Sequence, residues 1–208
     1  MQLVLATRNQ GKLRELLGLL RGESVEVVTL DAFPHLCDVD ETGTTFEENA
    51  RIKASYAARQ ADAWALAEDS GLSVDALDGL PGVYSARYAG RHGDDDANNA
   101  KLIRALEGKD DRAARYICSM VLARPGGDVV GTTRGVCEGR IGHEPRGTGG
   151  FGYDPYFWPD AATSTMAELD PHAKDSLSHR GQALRAMLPI LRMQLSGADP
   201  SREAHTLR

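Results

Sequence analysis

The sequence predicts an α/β protein. Residues 2–7, "QLVLAT", are a short run of apolar and branched residues, the pattern of a buried strand. Residues 12–20, "KLRELLGLL", put Leu13, Leu16, Leu17 and Leu20 at i, i+3, i+4 and i+7, one face of a helix. Residues 25–30, "VEVVTL", read as a second strand. A chain that opens β-α-β builds helices onto a sheet.

The later elements follow in order. Residues 31–44 are a loop rich in acids, among them Asp38, Asp40 and Glu41. Thr45 and Glu48 form a T-x-x-E capping box, so a helix starts there. It runs to about Asp62 with Phe46, Ala50, Ala54 and Ala57 inward, and Asn49 and Lys53 one turn apart beside that face. "WALAEDSGLSVDAL" (64–77) reads as strand, tight turn at Ser70-Gly71, strand. Residues 78–90 read as loop, broken by Gly79, Pro81 and Gly82. A helix covers 94–107. Strands over 114–124 and 128–138 are joined by a hairpin turn at Pro125-Gly126-Gly127-Asp128. Asp170-Pro171 is an N-cap followed by proline at the first helical position. A longer helix follows Ser178, with Leu184, Met187, Leu188, Leu191 and Leu195 inward and a kink expected at Pro189. Residues 1–195 read as one domain and 196–208 as a frayed tail.

At 208 residues, 41% hydrophobic and 26% charged, the chain has the composition of an ordinary globular domain. A net charge of -6 argues against a general duplex nucleic-acid binder, which carries a basic excess. Cys37, Cys118 and Cys137 are far apart and show no zinc-ligand spacing, which fits a reducing cytoplasm. No stretch approaches the ~20 apolar residues of a membrane span.

Four stretches carry chemistry. "TRNQGK" (7–12) lies between the first strand and the first helix. Ligands of α/β folds gather at strand carboxyl ends, and a helix N-terminus suits phosphate. Thr7, Arg8, Asn9, Gln10, Gly11 and Lys12 are the candidate cradle, although the same residues also suit a surface turn capped by Asn9. The stretch is not a Walker loop, because Leu13 follows the lysine. "AEDSG" (67–71) puts Glu68 and Asp69 side by side, suited to Mg²⁺ or to a base that activates water, and equally to an ordinary turn. Asp40 and Glu41 are candidates for a further metal contact or for a solvated loop. "KDSLSHRGQAL" (174–184) brings Lys174, His179 and Arg180 to a helix start, where positive charge opposes the dipole and an anion or carbonyl partner would relieve it. "GTGGFGYDP" (147–155) sets Phe151, Gly152, Tyr153 and Asp154 among glycines, as if the backbone must pass close to a flat ligand. Phosphate cradle, acids, lysines and an aromatic loop together fit a nucleoside triphosphate with magnesium.

On these motifs, in this order and spacing, the chain resembles the non-standard purine nucleoside triphosphate pyrophosphatases. "LATRNQGK", "ETGTTFEENARIKA", "AEDSGLSVDAL", "PGVYSARYAG", "GTGGFGYDPYF" and "SLSHRGQAL" carry the likeness across about residues 3–195. The resemblance implies an elongated, two-lobed α/β fold around a long mixed sheet with a central cleft. It also implies a homodimer, Mg²⁺ dependence, and hydrolysis of inosine and xanthosine triphosphates to monophosphate and pyrophosphate. By residue-wise match, residues 7–12 and Lys53 meet phosphate, Asp69 is the metal-linked general base and Ser70 touches substrate. Phe151 to Asp154, Lys174, His179 and Arg180 hold the nucleotide. Arg8 stands where the family often has a small residue, and Glu68 where some relatives have aspartate. A similarly built Maf-type pyrophosphatase is the alternative enzyme, disfavoured by "SHRGQAL" and "FGYDP". A nucleotide sensor without catalysis is disfavoured by the retained acids.

Overall fold

The computed structural model describes residues 2–195, so the expected tail at 196–208 lies outside the described residues. The element order is β1 (Gln2–Leu5), α1 (Gln10–Leu19), β2 (Glu26–Thr29), α2 (Phe46–Ala61), β3 (Trp64–Val74), α3 (Asp95–Ala105), β4 (Ala113–Ala123), β5 (Val129–Ile141), β6 (Phe157–Pro159), α4 (Pro171–Leu177) and α5 (His179–Leu195). The strands form one mixed sheet in the order β2-β1-β3-β4-β5-β6. β1 pairs parallel with β2 and β3, and the pairs β3–β4, β4–β5 and β5–β6 are antiparallel. The α/β expectation holds.

Side chains alternate across the sheet, and that alternation divides the core. Leu3 and Leu5 of β1, Leu66 of β3 and Met120 and Leu122 of β4 face α1 and α5. Val4, Ala65, Ala67 and Val121 face the opposite way, onto the alanine stripe Ala50, Ala54, Ala57 and Ala58 of α2. The small side chains of that stripe let α2 lie close to the sheet. A third cluster, built on Leu72, Val74, Leu102, Tyr116, Ile141 and Phe157, fills the far end of the long strands. α2 carries the expected capping box and ends with Asp62 in the left-handed conformation at φ 45°.

Four expectations need correction. There is no turn at Ser70-Gly71. β3 runs unbroken for 11 residues, because β4 pairs with it from Ala65↔Ala123 to Val74↔Ala114, through Ser70↔Cys118 and Gly71↔Ile117. Gly71 is kept bare by packing, since a Cβ there would meet Gly82 O at 2.7 Å. Leu17 is exposed, because Leu13, Leu16 and Leu20 already fill the contact of α1 with the sheet. Residues 78–90 are not all loop, since Gly82–Arg87 wind into a 3-10 helix. β5 extends to Ile141, where β6 supplies a further partner. Pro189 sits inside α5 on its exposed side; among the expected inward residues Leu184, Met187 and Leu191 are fully buried and Leu188 is half-buried, while the Leu195 side chain lies outside the described residues.

Candidate functional site

β1 stops at the register Leu5↔Leu66, while β3 continues beside β4 for eight more residues, to Val74. Residues 68–71 therefore keep β4 as a neighbour but lose β1, just beyond its carboxyl end. A cleft of about 590 Å³ opens there, in the size range of small-molecule sites.

The cradle is half of what was expected. Asn9 caps α1, its Oδ1 accepting the Lys12 N–H at 3.0 Å, and Thr7 Oγ1 accepts the Asn9 N–H at 3.2 Å. Lys12 points inward, its Nζ 3.3 Å from Glu68. Arg8 turns outward: Nε meets Asp38 at 2.8 Å and Nη2 meets the Leu36 carbonyl at 2.7 Å. Gln10 faces solvent, and Gly11 is buried beneath Phe151, where a Cβ would lie 2.6 Å from the ring. Cap geometry alone does not distinguish the inward from the outward cation.

The acids Glu68 and Asp69 do not form a joint site. In a continuous strand, neighbours point to opposite faces. Glu68 goes to the α1/α5 side, where Arg180 Nε and Nη2 grip its two oxygens at 2.8 and 2.9 Å and Cys118 Sγ donates at 3.0 Å. Burial pushes the Glu68 carboxyl up, but Arg180 and Lys12 outweigh it and hold the group well below its ordinary value. Burial keeps the Cys118 thiol protonated, as a donor. Asp69 goes to the α2 side. Its Oδ1 accepts from Lys53 Nζ at 2.9 Å and its Oδ2 from Asn49 at 3.2 Å, so the pairing of Asn49 and Lys53 on α2 serves one carboxylate. Lys53 also reaches Glu41 at 3.0 Å. Burial would discharge this lysine, yet Asp69 and Glu41 more than reverse that and keep it charged. Of the two loop acids, Glu41 thus enters the cluster, whereas Asp40 stays exposed on the cleft rim.

Lys174, His179 and Arg180 do converge with the glycine loop. Arg180 is 2% exposed and sends N–H groups to Glu68, to Glu15 and, at 3.0 Å, to Ser70, leaving one Nη1 hydrogen. Glu15 and Glu68 supply the negative charge that a cation in the first turn of α5 requires. Lys174 sends two of its three N–H groups to Asp154 and Glu15, at 2.6 and 2.7 Å. Burial keeps Asp154 above its usual range even with Lys174 against it, and the Phe151 N–H and the Tyr116 hydroxyl also donate to it. His179 stacks on Tyr116 at 4.7 Å, and burial with Arg180 beside it holds the imidazole neutral; its Nδ1 is buried without a hydrogen-bond partner among the described residues. Tyr153 packs in the far core and donates to the Ser85 carbonyl.

The glycines of the loop serve its own packing more than a ligand. A Cβ on Gly147 would strike the Ala167 backbone and one on Gly150 would strike the Asp154 carboxylate, and both have positive φ. Phe151 comes to rest with Lys174 Nζ 5.2 Å and the Arg180 guanidinium carbon 5.7 Å from its ring centre. Glu15, Tyr116 and Cys118 were missed from sequence. Glu15 carries a faint signal, an acid three residues after Lys12 in a leucine-rich helix; the other two read as ordinary strand residues.

Among the described residues no group of three or more His, Cys, Asp or Glu side chains is set to hold a metal ion, and no helix is long and apolar enough to cross a membrane. Residues 3–190 match the Ham1 family. A dITP/XTP pyrophosphatase of Exiguobacterium is 51% identical over 187 residues, 90% of this chain and 95% of that protein. One of Geobacter sulfurreducens is 52% identical over 185 residues, 88% and 92% of the respective chains. The structure of a HAM1 protein from Coxiella burnetii superposes with a TM-score of 0.84 at 43% identity, covering 92% of this chain and 98% of that one. With a family match that spans nearly all of the described chain and relatives at half identity along more than nine tenths of their length, the chain belongs to the Ham1 family.

Proposed function

We infer that this protein hydrolyses non-canonical purine nucleoside triphosphates, of the inosine and xanthosine kind, to the monophosphate and pyrophosphate. The dITP/XTP pyrophosphatases that it matches support the reaction class. The observation that carries it in this chain is the lining of the cleft, which brings two sets of groups together. Lys12, the cap of α1 and the Asp69–Lys53–Glu41 cluster suit a triphosphate. Phe151, with Lys174 and Arg180 against its ring, suits a base.

In this reading, Lys12 and the first N–H groups of α1 neutralise the phosphate tail. Asp69, oriented by Lys53 and Asn49, takes the proton from water as the water oxygen attacks the α-phosphorus and pyrophosphate leaves. Asp69 and Glu41 already converge on one cation, the Lys53 ammonium, so the donors suit Mg²⁺, which usually takes one or two carboxylates plus substrate phosphates. Bound there, Mg²⁺ supplies charge neutralisation on the transferred phosphoryl group. Glu68 has no part in that set, because Arg180 occupies both its oxygens. Beside Phe151, the remaining Lys174 and Arg180 hydrogens suit the C6 oxygen of inosine or xanthosine. The C6 amino group of adenine is a donor and leaves them unpaired, at about 1–3 kcal/mol for each buried group. We assign a homodimer to this chain on the family resemblance.

The test is direct: incubate the protein with inosine triphosphate and Mg²⁺ and identify the products. Inosine monophosphate and pyrophosphate are expected. Orthophosphate as the primary product overturns the reading.

A further inference from the structure

A glycine-rich backbone has little stiffness of its own, yet the glycine loop must present Phe151 in one place. The stiffness comes from α3. Asp95 and Asn99 stand one turn apart on the same face of that helix. Asp95 Oδ2 accepts the Gly152 N–H at 2.7 Å. Asn99 Nδ2 donates to the Gly152 carbonyl at 2.8 Å and to the Asp95 carbonyl at 2.9 Å. Both polar groups of one glycine, held in the left-handed conformation at φ 63°, are thus gripped from outside the loop. Asp154 Oδ2 holds the Phe151 N–H at 3.0 Å, so hydrogen bonds bracket the aromatic residue on either side.

Asn99 is buried, and its Oδ1 has no hydrogen-bond partner among the described residues. A buried acceptor without a partner is a cost, tolerated here for the two donors on the same side chain. The clamp is itself anchored. The neighbouring Asn98 accepts the Ala89 N–H at 2.7 Å and donates to the Ala86 carbonyl at 3.3 Å, and Tyr153 ties the loop to Ser85 in the same segment.

We propose that Asp95 and Asn99 are positioning residues for base selection: they fix Gly152 so that the Phe151 ring stands over Gly11, facing Lys174 and Arg180, resting on the reading of the cleft as a purine nucleoside triphosphate site. Their hydrogen bonds go to Gly152 and within α3, not to Lys12, Lys53 or Asp69, so their loss acts on recognition of the base and not on bond cleavage.

The test is steady-state hydrolysis of inosine and adenosine triphosphates. Asp95→Ala and Asn99→Ala are expected to raise KM for inosine triphosphate about tenfold, the scale of one hydrogen bond. They leave kcat within about threefold and narrow the preference over adenosine triphosphate. Asp95→Asn keeps an acceptor for the Gly152 N–H and restores the low KM. Asn99→Asp faces the Gly152 carbonyl with an acceptor and is worse than Asn99→Ala. In a Phe151→Ala background the Asp95 substitution adds nothing, because both act through one ring. Unchanged KM and selectivity in both alanine variants overturn the proposal, as does a fall in kcat with selectivity intact, or full additivity with Phe151→Ala. A wild-type protein that turns over neither nucleotide overturns the underlying assignment of substrate instead.

Discussion

Glu68 and Asp69 are adjacent in the chain and opposite in circumstance. Glu68, on the α1/α5 side of β3, is closed in: Arg180 holds both oxygens, Cys118 and Lys12 complete the shell, and the network continues through Glu15 and Lys174 to Asp154. Among the described residues Asp69, on the α2 side, meets Lys53 and Asn49, at the wall of the cleft. The pleat gives one carboxylate to the scaffold and one to the wall of the cleft. An acid pair in sequence is therefore not a metal pair unless the backbone bends between its members.

Exchanging the two acids separates these roles most sharply. Asp69→Asn is expected to lower kcat by about 10²- to 10⁴-fold, the range of a general base, with a smaller fall in melting temperature than Glu68→Ala, because Lys53 keeps Glu41 as a partner. Glu68→Ala leaves Arg180 buried without its main partner and is expected to destabilise by about 3–5 kcal/mol. For a domain of this size that is a fall in Tm on the order of 10 °C. Wild-type kcat for Asp69→Asn at saturating Mg²⁺, or an unshifted Tm for Glu68→Ala, breaks the division.

The same contrast sets the acid limit of stability. Burial, with Arg180 and Lys12 nearby, holds His179 well below 6.5 in the folded state, so the unfolded chain takes up a proton first. Stability contributed by His179 is present above 6.5 and is lost as pH falls below it. The Glu68 value is also depressed, from 4.5, so its contribution is present above 4.5 and is lost at lower pH. Asp154 has a raised value and acts in the opposite sense, offsetting part of the second loss. Tm is thus expected to decline in two steps, one starting near 6.5 and one near 4.5. His179→Phe removes the upper step alone. A Tm that stays level from pH 7 to 4 contradicts the assignment of both groups.

Periodicity and capping made most of the fold legible. The leucine face of α1, the capping box of α2 and the hairpin after β4 are local patterns, and local patterns survive folding. The turn expected at Ser70-Gly71 failed because a serine-glycine pair is only a weak breaker against ten consecutive residue pairs with β4. The site was legible as an inventory of residues but not as a set of pairings. Which cation meets which carboxylate depends on sheet faces and on contacts across more than a hundred residues, as between Glu68 and Arg180. Asp95 and Asn99 were invisible as site residues because each resembles an ordinary residue at the start of a capped helix.

The cradle offers the smallest effects and the finest distinction. Lys12 and Arg8 flank the same helix cap, and sequence spacing treats them alike. Lys12 lies inside, close to Glu68, whereas the Arg8 side chain is 41% exposed and tied to Asp38, itself 83% exposed. A lysine held inside a cleft meets phosphate as a charged donor, a contact of about 1.5–3 kcal/mol, so Lys12→Ala is expected to raise KM about 10- to 100-fold. Exposed ion pairs contribute roughly 0–1 kcal/mol, and Arg8 acts only by steadying the loop that carries Glu41. Arg8→Ala is therefore expected to raise KM by less than about fivefold. Added salt is expected to weaken what remains of the Arg8 effect, since the Arg8–Asp38 pair is open to screening. If Arg8→Ala instead raises KM as much as Lys12→Ala, Arg8 leaves Asp38 for the phosphate tail when substrate binds, and the outward cation belongs to the cradle after all.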